Sequence, residues 1–117
     1  MQHAFDEHAL ERLVGPDPDR QRNIYALFVD TSTQGLMAMR AALEDANLAA
    51  LGVAAHRLKS GARLVGAPTL GALAAQIEVA ADRGEGGTIA PLLVDVEVEA
   101  ARTLAWVRAR LDALVAH

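Results

Sequence analysis

The segment LAALGVAAHRLKSGARLVGAP, residues 48–68, decides how this chain is read. Leu51, Ala55, Leu58, Ala62 and Val65 recur at steps of three and four, the spacing of one face of an α-helix. Gly66-Ala67-Pro68 closes that helix, since glycine tolerates the left-handed conformation past a helix end and proline cannot continue it. A helix over residues 48–65 is therefore predicted. With its core stripe set at 0°, Lys59, Gly52, Arg63, His56, Ala49 and Ser60 fall on an arc from roughly 80° to 180°, and His56 points mostly to solvent. Val53 and Leu64 lie at about 200° and 220°, where they either rim a docking surface with Ala49 or pack on the N-terminal helix; spacing leaves both open.

Working outward, a helix is expected to take up at Thr69, with Leu70, Ala74, Ile77 and Ala81 as its stripe and a stop at Gly84–Gly87. Thr88 is then placed as a cap and Pro91 as the opening of a last helix, whose stripe is Leu93, Val96, Ala100, Leu104, Val107, Leu111 and Leu114. The valines of LLVDVEVEA alternate as a strand would, but a lone strand has no partner, and the helical spacing runs on for three more turns. On the other side, Asp17-Pro18-Asp19 reads as a cap for a long helix. Ile24, Phe28, Thr31, Gly35, Met39 and Ala42 form its stripe, and it ends near Ala46-Asn47. A short first helix is expected from Asp6 to Val14, ended by Gly15-Pro16. The glycine cluster Gly84–Gly87 lacks the Lys-Ser/Thr ending of a phosphate-binding loop and is read as a corner. The fold class expected is all-α, an antiparallel four-helix bundle with a short additional N-terminal helix, in one domain over residues 1–117.

Bulk composition agrees. Apolar residues make up 52% of the 117 residues but aromatic ones only 3%, so the core is built from aliphatic side chains and alanine, which suits close helix packing. No apolar run is long enough to span a bilayer, and MQHAFDEHALERLVG carries acids where a signal peptide has a basic region. A cytoplasmic protein without membrane association is expected. The absence of cysteine excludes disulfides, thiolate metal sites and thiol nucleophiles. A net charge of −4 argues against nucleic-acid binding, which needs a basic footprint. Yet no acid lies between Asp45 and Glu78, and that stretch holds Arg57, Lys59 and Arg63 around His56.

A neutral imidazole, with an ordinary pKa of about 6.5, carries a nucleophilic nitrogen without help from a base and can attack an acyl phosphate. Lys59 and Arg63 would partly neutralise the added charge, and small neighbours Gly52 and Ser60 would let another protein close over the ring. A solvated histidine among ordinary surface cations has the same spacing, so geometry alone does not decide between them.

The string Ala55-His56-Arg57-Leu58-Lys59-Ser60-Gly61-Ala62-Arg63-Leu64-Val65-Gly66-Ala67, followed by Leu70 and Gln76-Ile77-Glu78, resembles the signature of histidine-containing phosphotransfer (HPt) domains, and the likeness extends over nearly the whole chain. The resemblance implies a four-helix bundle whose histidine takes a phosphoryl group from a receiver-domain aspartate and passes it to another receiver. By position, His56 would be the phosphorylated residue and Lys59 the cation beside it. Gly66 would close the helix, and Glu78 would stand where a polar side chain orients the imidazole. Ser60 departs from the family's frequent glycine, and Glu78 occupies a position where glutamine also occurs; the serine hydroxyl is expected near the docking surface. Ala49, Gly52, Val53, Arg57, Ser60 and Leu64 are the expected docking residues. The implied partners are receiver domains of response regulators and hybrid histidine kinases. Mg²⁺ is expected on the receiver, while this chain, acting as a monomer, holds no cofactor or metal.

Rival readings are a phosphoacceptor domain of a chemotaxis-type or hybrid histidine kinase and an adaptor bundle that has lost phosphotransfer. A sensor-kinase dimerisation domain fits less well, because an acid typically follows its histidine where Arg57 follows His56. An independent enzyme is not expected: no HExxH pattern or Ser/His/Asp set is present, and His3, His8 and His117 near the termini read as surface residues.

Overall fold

The computed structural model describes residues 5–115, so His3 and His117 lie outside the described residues. Five helices follow one another: α1 (Ala9–Val14), α2 (Pro18–Glu44), α3 (Leu48–Val65), α4 (Pro68–Asp82) and α5 (Gly86–Val115). No strand occurs among the described residues, and none of the helices is long and apolar enough to cross a membrane. The fold is an all-helical bundle in which α2 packs on α3 and α5, and α4 packs on α3 and α5, closing a ring of four. The loops from α2 to α5 are too short for anything but antiparallel neighbours.

Each start and stop has a local cause. Pro18 occupies the first turn of α2, where a missing N–H costs nothing, and the Asp17 carboxylate accepts from Asp19 N at 3.0 Å. Asn47 Oδ1 accepts from Ala50 N at 3.0 Å and caps α3. Gly66 ends α3 at φ +90, and the Ala67 N–H returns to the Ala62 carbonyl at 2.8 Å. The two-residue turn that follows brings α4 back against α3, and this register builds the site.

Helix lengths explain the covering segment. By rise per residue α2 and α5 run about 40 and 45 Å, whereas α3 and α4 reach only about 27 and 22 Å. The longer pair overhangs the α3–α4 turn. The N-terminal segment fills the gap: Leu10 is fully buried, Phe5 stacks on Trp106 at 4.6 Å, and Asp6 N donates to the Gly66 carbonyl at 2.8 Å.

The α3 and α4 stripes bury as expected. Three expectations are corrected. The α1 helix begins at Ala9 rather than Asp6, because Asp6 uses its N–H on Gly66 and its carboxylate on the His8 N–H. On α2 Phe28, Met39 and Ala42 bury as expected, but Gln21, Tyr25 and Ser32 are buried as well, Ile24 and Gly35 are only half-buried, and Thr31 is exposed. Tyr25 sits edge-on to Trp106, and Ser32 tolerates burial because its hydroxyl donates to the Phe28 carbonyl. The α5 helix starts at Gly86, not at Pro91, which lies inside it. Ile89 is fully buried and holds this earlier turn on the core, while exposed Pro91 forfeits a single backbone bond near the helix start. The valine-rich stretch is helical.

Candidate functional site

His56 lies on the solvent side of α3, its side chain 58% exposed, beside the seam with α4. Its Nδ1 is 2.7 Å from Glu78 Oε2, and the other carboxylate oxygen, Oε1, accepts from Lys59 Nζ at 2.5 Å. One α4 carboxylate thus bridges two α3 side chains one turn apart. The hydrogen bond from Lys59 holds the Glu78 carboxyl below its ordinary range; burial opposes this, and the imidazole contact adds to it. An ionised carboxylate only accepts, so Nδ1 carries the proton and donates. In the neutral ring Nε2 is then left with its lone pair free.

Lys59 is not the freely exposed side chain expected from its arc: it is 17% exposed and leans across the seam to Glu78. In this unphosphorylated state its ammonium is paired with that carboxylate. Nor does the fold bring Arg63 to the imidazole. Its stem lies over Gly71, where an added Cβ would meet Arg63 Cγ at 3.3 Å, seven residues or about 10 Å along the helix from His56. Arg57 and Arg63 have no hydrogen bond or ion pair among the described residues.

Two hollows flank the His56–Arg57 ridge. One, of about 570 Å³, lies on the α3–α4 seam and is lined by Leu48, Ala49, Gly52, Val53, Ala81 and Asp82 beside His56 and Glu78. Gly52 lies on its floor opposite Ala81, where an added Cβ would make an ordinary contact at 3.5 Å. The other, of about 340 Å³, lies between α2 and α3 under Arg57, with Phe28, Gly35, Ala38 and Gly61 among its walls. Ala49 and Val53 are exposed in the first hollow. Leu64 instead packs half-buried on the core and is absent from both, so the expected rim stops short of it. The Ser60 hydroxyl donates to the His56 carbonyl at 3.1 Å, which turns it back on its own helix rather than toward the docking surface. Asp82 in the first hollow was missed by sequence reasoning; its spacing of four from Glu78 was the available signal.

An all-helical bundle whose α3 presents an oriented, solvent-facing imidazole with a free Nε2 defines a phosphoryl-accepting module. The family model of the Hpt domain matches residues 23–117, beginning within α2 and leaving α1 ahead of it. The crystal structure of histidine-containing phosphotransfer protein B from Pseudomonas aeruginosa PAO1 superposes with a TM-score of 0.87 at 27% identity, covering 93% of this chain and 95% of that one. No curated protein matches the sequence. The chain belongs to the Hpt domain family and has a histidine phosphotransfer role in a two-component phosphorelay. Hpt domains work with receiver domains and lack a kinase catalytic domain.

Proposed function

We propose that His56 is the residue phosphorylated, on Nε2, accepting the group from the aspartyl phosphate of one receiver domain and passing it to the aspartate of another. The observation that carries the reading is the contact of His56 Nδ1 with the ionised Glu78 carboxylate, which selects Nε2 as nucleophile and aims it at solvent. Transfer then needs only that a receiver present its phosphorus in line with Nε2, and the hollows on either side of the ridge leave room for that approach. Every side chain in this reading comes from α3 and α4 of one chain, which acts as a monomer in the cytoplasm and supplies no kinase activity of its own.

The metal chemistry belongs to the receiver, whose Mg²⁺ screens the phosphoryl oxygens. Unpaired Arg57 and Arg63 face that acidic partner and speed encounter more than they tighten the complex. Ala49, Gly52 and Val53 form the apolar side of the contact. The test is transfer of labelled phosphate from a charged receiver. Wild type acquires acid-labile, base-stable label and His56→Gln does not; equal labelling of the variant removes His56 from the reaction.

A further inference from the structure

The α3–α4 hollow beside His56 holds a charged side chain that phosphoryl transfer does not use. Asp82 lies one turn, about 6 Å, beyond Glu78 on the same face of α4, and lines the hollow. Glu78 has both oxygens engaged, by His56 and Lys59. Asp82 is exposed and has no hydrogen bond or ion pair among the described residues. Nothing in the fold calls for an acid there. It closes the last turn of α4, where the helix dipole disfavours a carboxylate, and the first turn of α3, which shares the hollow, is already capped by Asn47. The next residue, Arg83, lines a separate hollow with Glu85 on the α4–α5 side.

The rest of the hollow sets what Asp82 can meet. Leu48, Ala49, Val53 and Ala81 make an apolar floor, and Val53 is 53% exposed. Arg57, also without a partner, lines the hollow from the α3 side beside the reactive ring. The surface is therefore bipolar, with an open cation on α3 and an open anion on α4 around an apolar floor. A receiver's acidic pocket closing on His56 gains from Arg57, whereas Asp82 repels a partner that is acidic throughout. Charge complementarity leaves one kind of occupant, a docking segment that seats an apolar side chain on the floor and sets a Lys or Arg against Asp82.

We infer that Asp82 is a specificity-determining residue, which admits receivers carrying a cation at that point and rejects those carrying an acid there. The inference rests on His56 as the phosphoryl acceptor. Asp82 touches none of the reacting atoms, so it acts on association and not on the chemical step.

Charged receivers are screened as phosphoryl donors, and the one that labels wild type fastest is kept. With that receiver, Asp82→Lys is expected to raise KM roughly tenfold with kcat within about twofold of wild type, and Asp82→Asn to raise KM by a smaller factor. The gap narrows as salt is added, because exposed charges are screened. Both variants unfold within about 2 °C of wild type, since neither loses a contact. Each exposed Lys or Arg flanking the receiver's acidic pocket is then reversed to Glu. One such reversal raises KM on wild type and restores it on Asp82→Lys. An unchanged KM for Asp82→Lys, or a rise that no reversal relieves, overturns the inference.

Phosphoramidate, a small donor that needs no docking, separates this failure from failure of the acceptor reading. Wild type takes label from it and His56→Gln takes none. Equal labelling of the two overturns the acceptor reading and the inference with it. Label on wild type alone, with KM unchanged by Asp82→Lys, overturns the inference and leaves His56 as the acceptor.

Discussion

Two ion pairs tie antiparallel helices across opposite seams of the bundle, and they use their glutamates differently. Between α2 and α5, the Arg40 guanidinium reaches Glu97 through Nε at 3.2 Å and Nη2 at 2.5 Å, one donor to each carboxylate oxygen. Both oxygens serve the same cation, and the pair is closed. Between α3 and α4, Lys59 has a single head group and engages only Oε1 of Glu78, which leaves Oε2 for His56. An arginine at 59 could take both oxygens in its fork and compete with the imidazole; lysine, a point donor, cannot. The same kind of contact is thus a clasp on one seam and part of a reactive constellation on the other.

The variants that test this contrast can be ranked by expected effect. Removing the imidazole, His56→Gln, abolishes acid-labile labelling by a charged receiver, while Arg40→Ala leaves labelling unchanged, both read as initial rates. Next, Glu78→Ala frees the ring to change tautomer and rotamer and slows transfer by roughly tenfold or more, as loss of a positioned proton partner does. The matching Glu97→Ala costs stability and no transfer rate. Lys59→Ala slows transfer by a smaller factor than Glu78→Ala. It leaves the fold intact, since losing one half-buried ion pair at the bundle surface costs about 1 kcal/mol; thermal unfolding checks this. Lys59→Arg sharpens the contrast further: if the fork captures both Glu78 oxygens, the Nδ1–H signal in ¹⁵N spectra shifts toward that of Glu78→Ala.

The smallest effect concerns acid. The folded Glu78 pKa lies below its ordinary value of 4.5, so its stabilisation is present in full above that value and is lost as pH falls through the lowered one. The stability difference between wild type and Glu78→Gln, measured by urea unfolding, therefore narrows from neutral pH to about pH 3. A constant difference would mean that the α3–α4 pair does not stabilise the folded state through its charge.

Legibility in the sequence followed local physics. Asn47 and Gly66 mark the ends of α3 by their own capping chemistry, and its five-residue stripe buries without exception because both neighbouring helices press on the same side. On α2 the expected stripe holds at Phe28, Met39 and Ala42 and fails at Thr31, where Ser32 is buried instead. Ser32 hides its hydroxyl on the preceding turn and Tyr25 finds Trp106 from α5, and neither compensation can be read from apolar spacing. The start of α5 was misjudged because Pro91 signals a helix opening locally, whereas burial of Ile89 against the rest of the bundle outweighs that signal.

What the sequence by itself determined was the helix order, the core face of α3 and the solvent-facing histidine with its small neighbours, all matters of periodicity and capping within one segment. Only the tertiary structure decided which side chain orients that histidine and where the nearby cations go. Glu78 stands 22 positions from His56 and 19 from Lys59, and its reach to both depends on the register that the turn at Gly66-Ala67 imposes on α3 and α4. A shift of one residue in that register would rotate Glu78 by about 100° relative to the seam and leave the imidazole with no proton partner from α4.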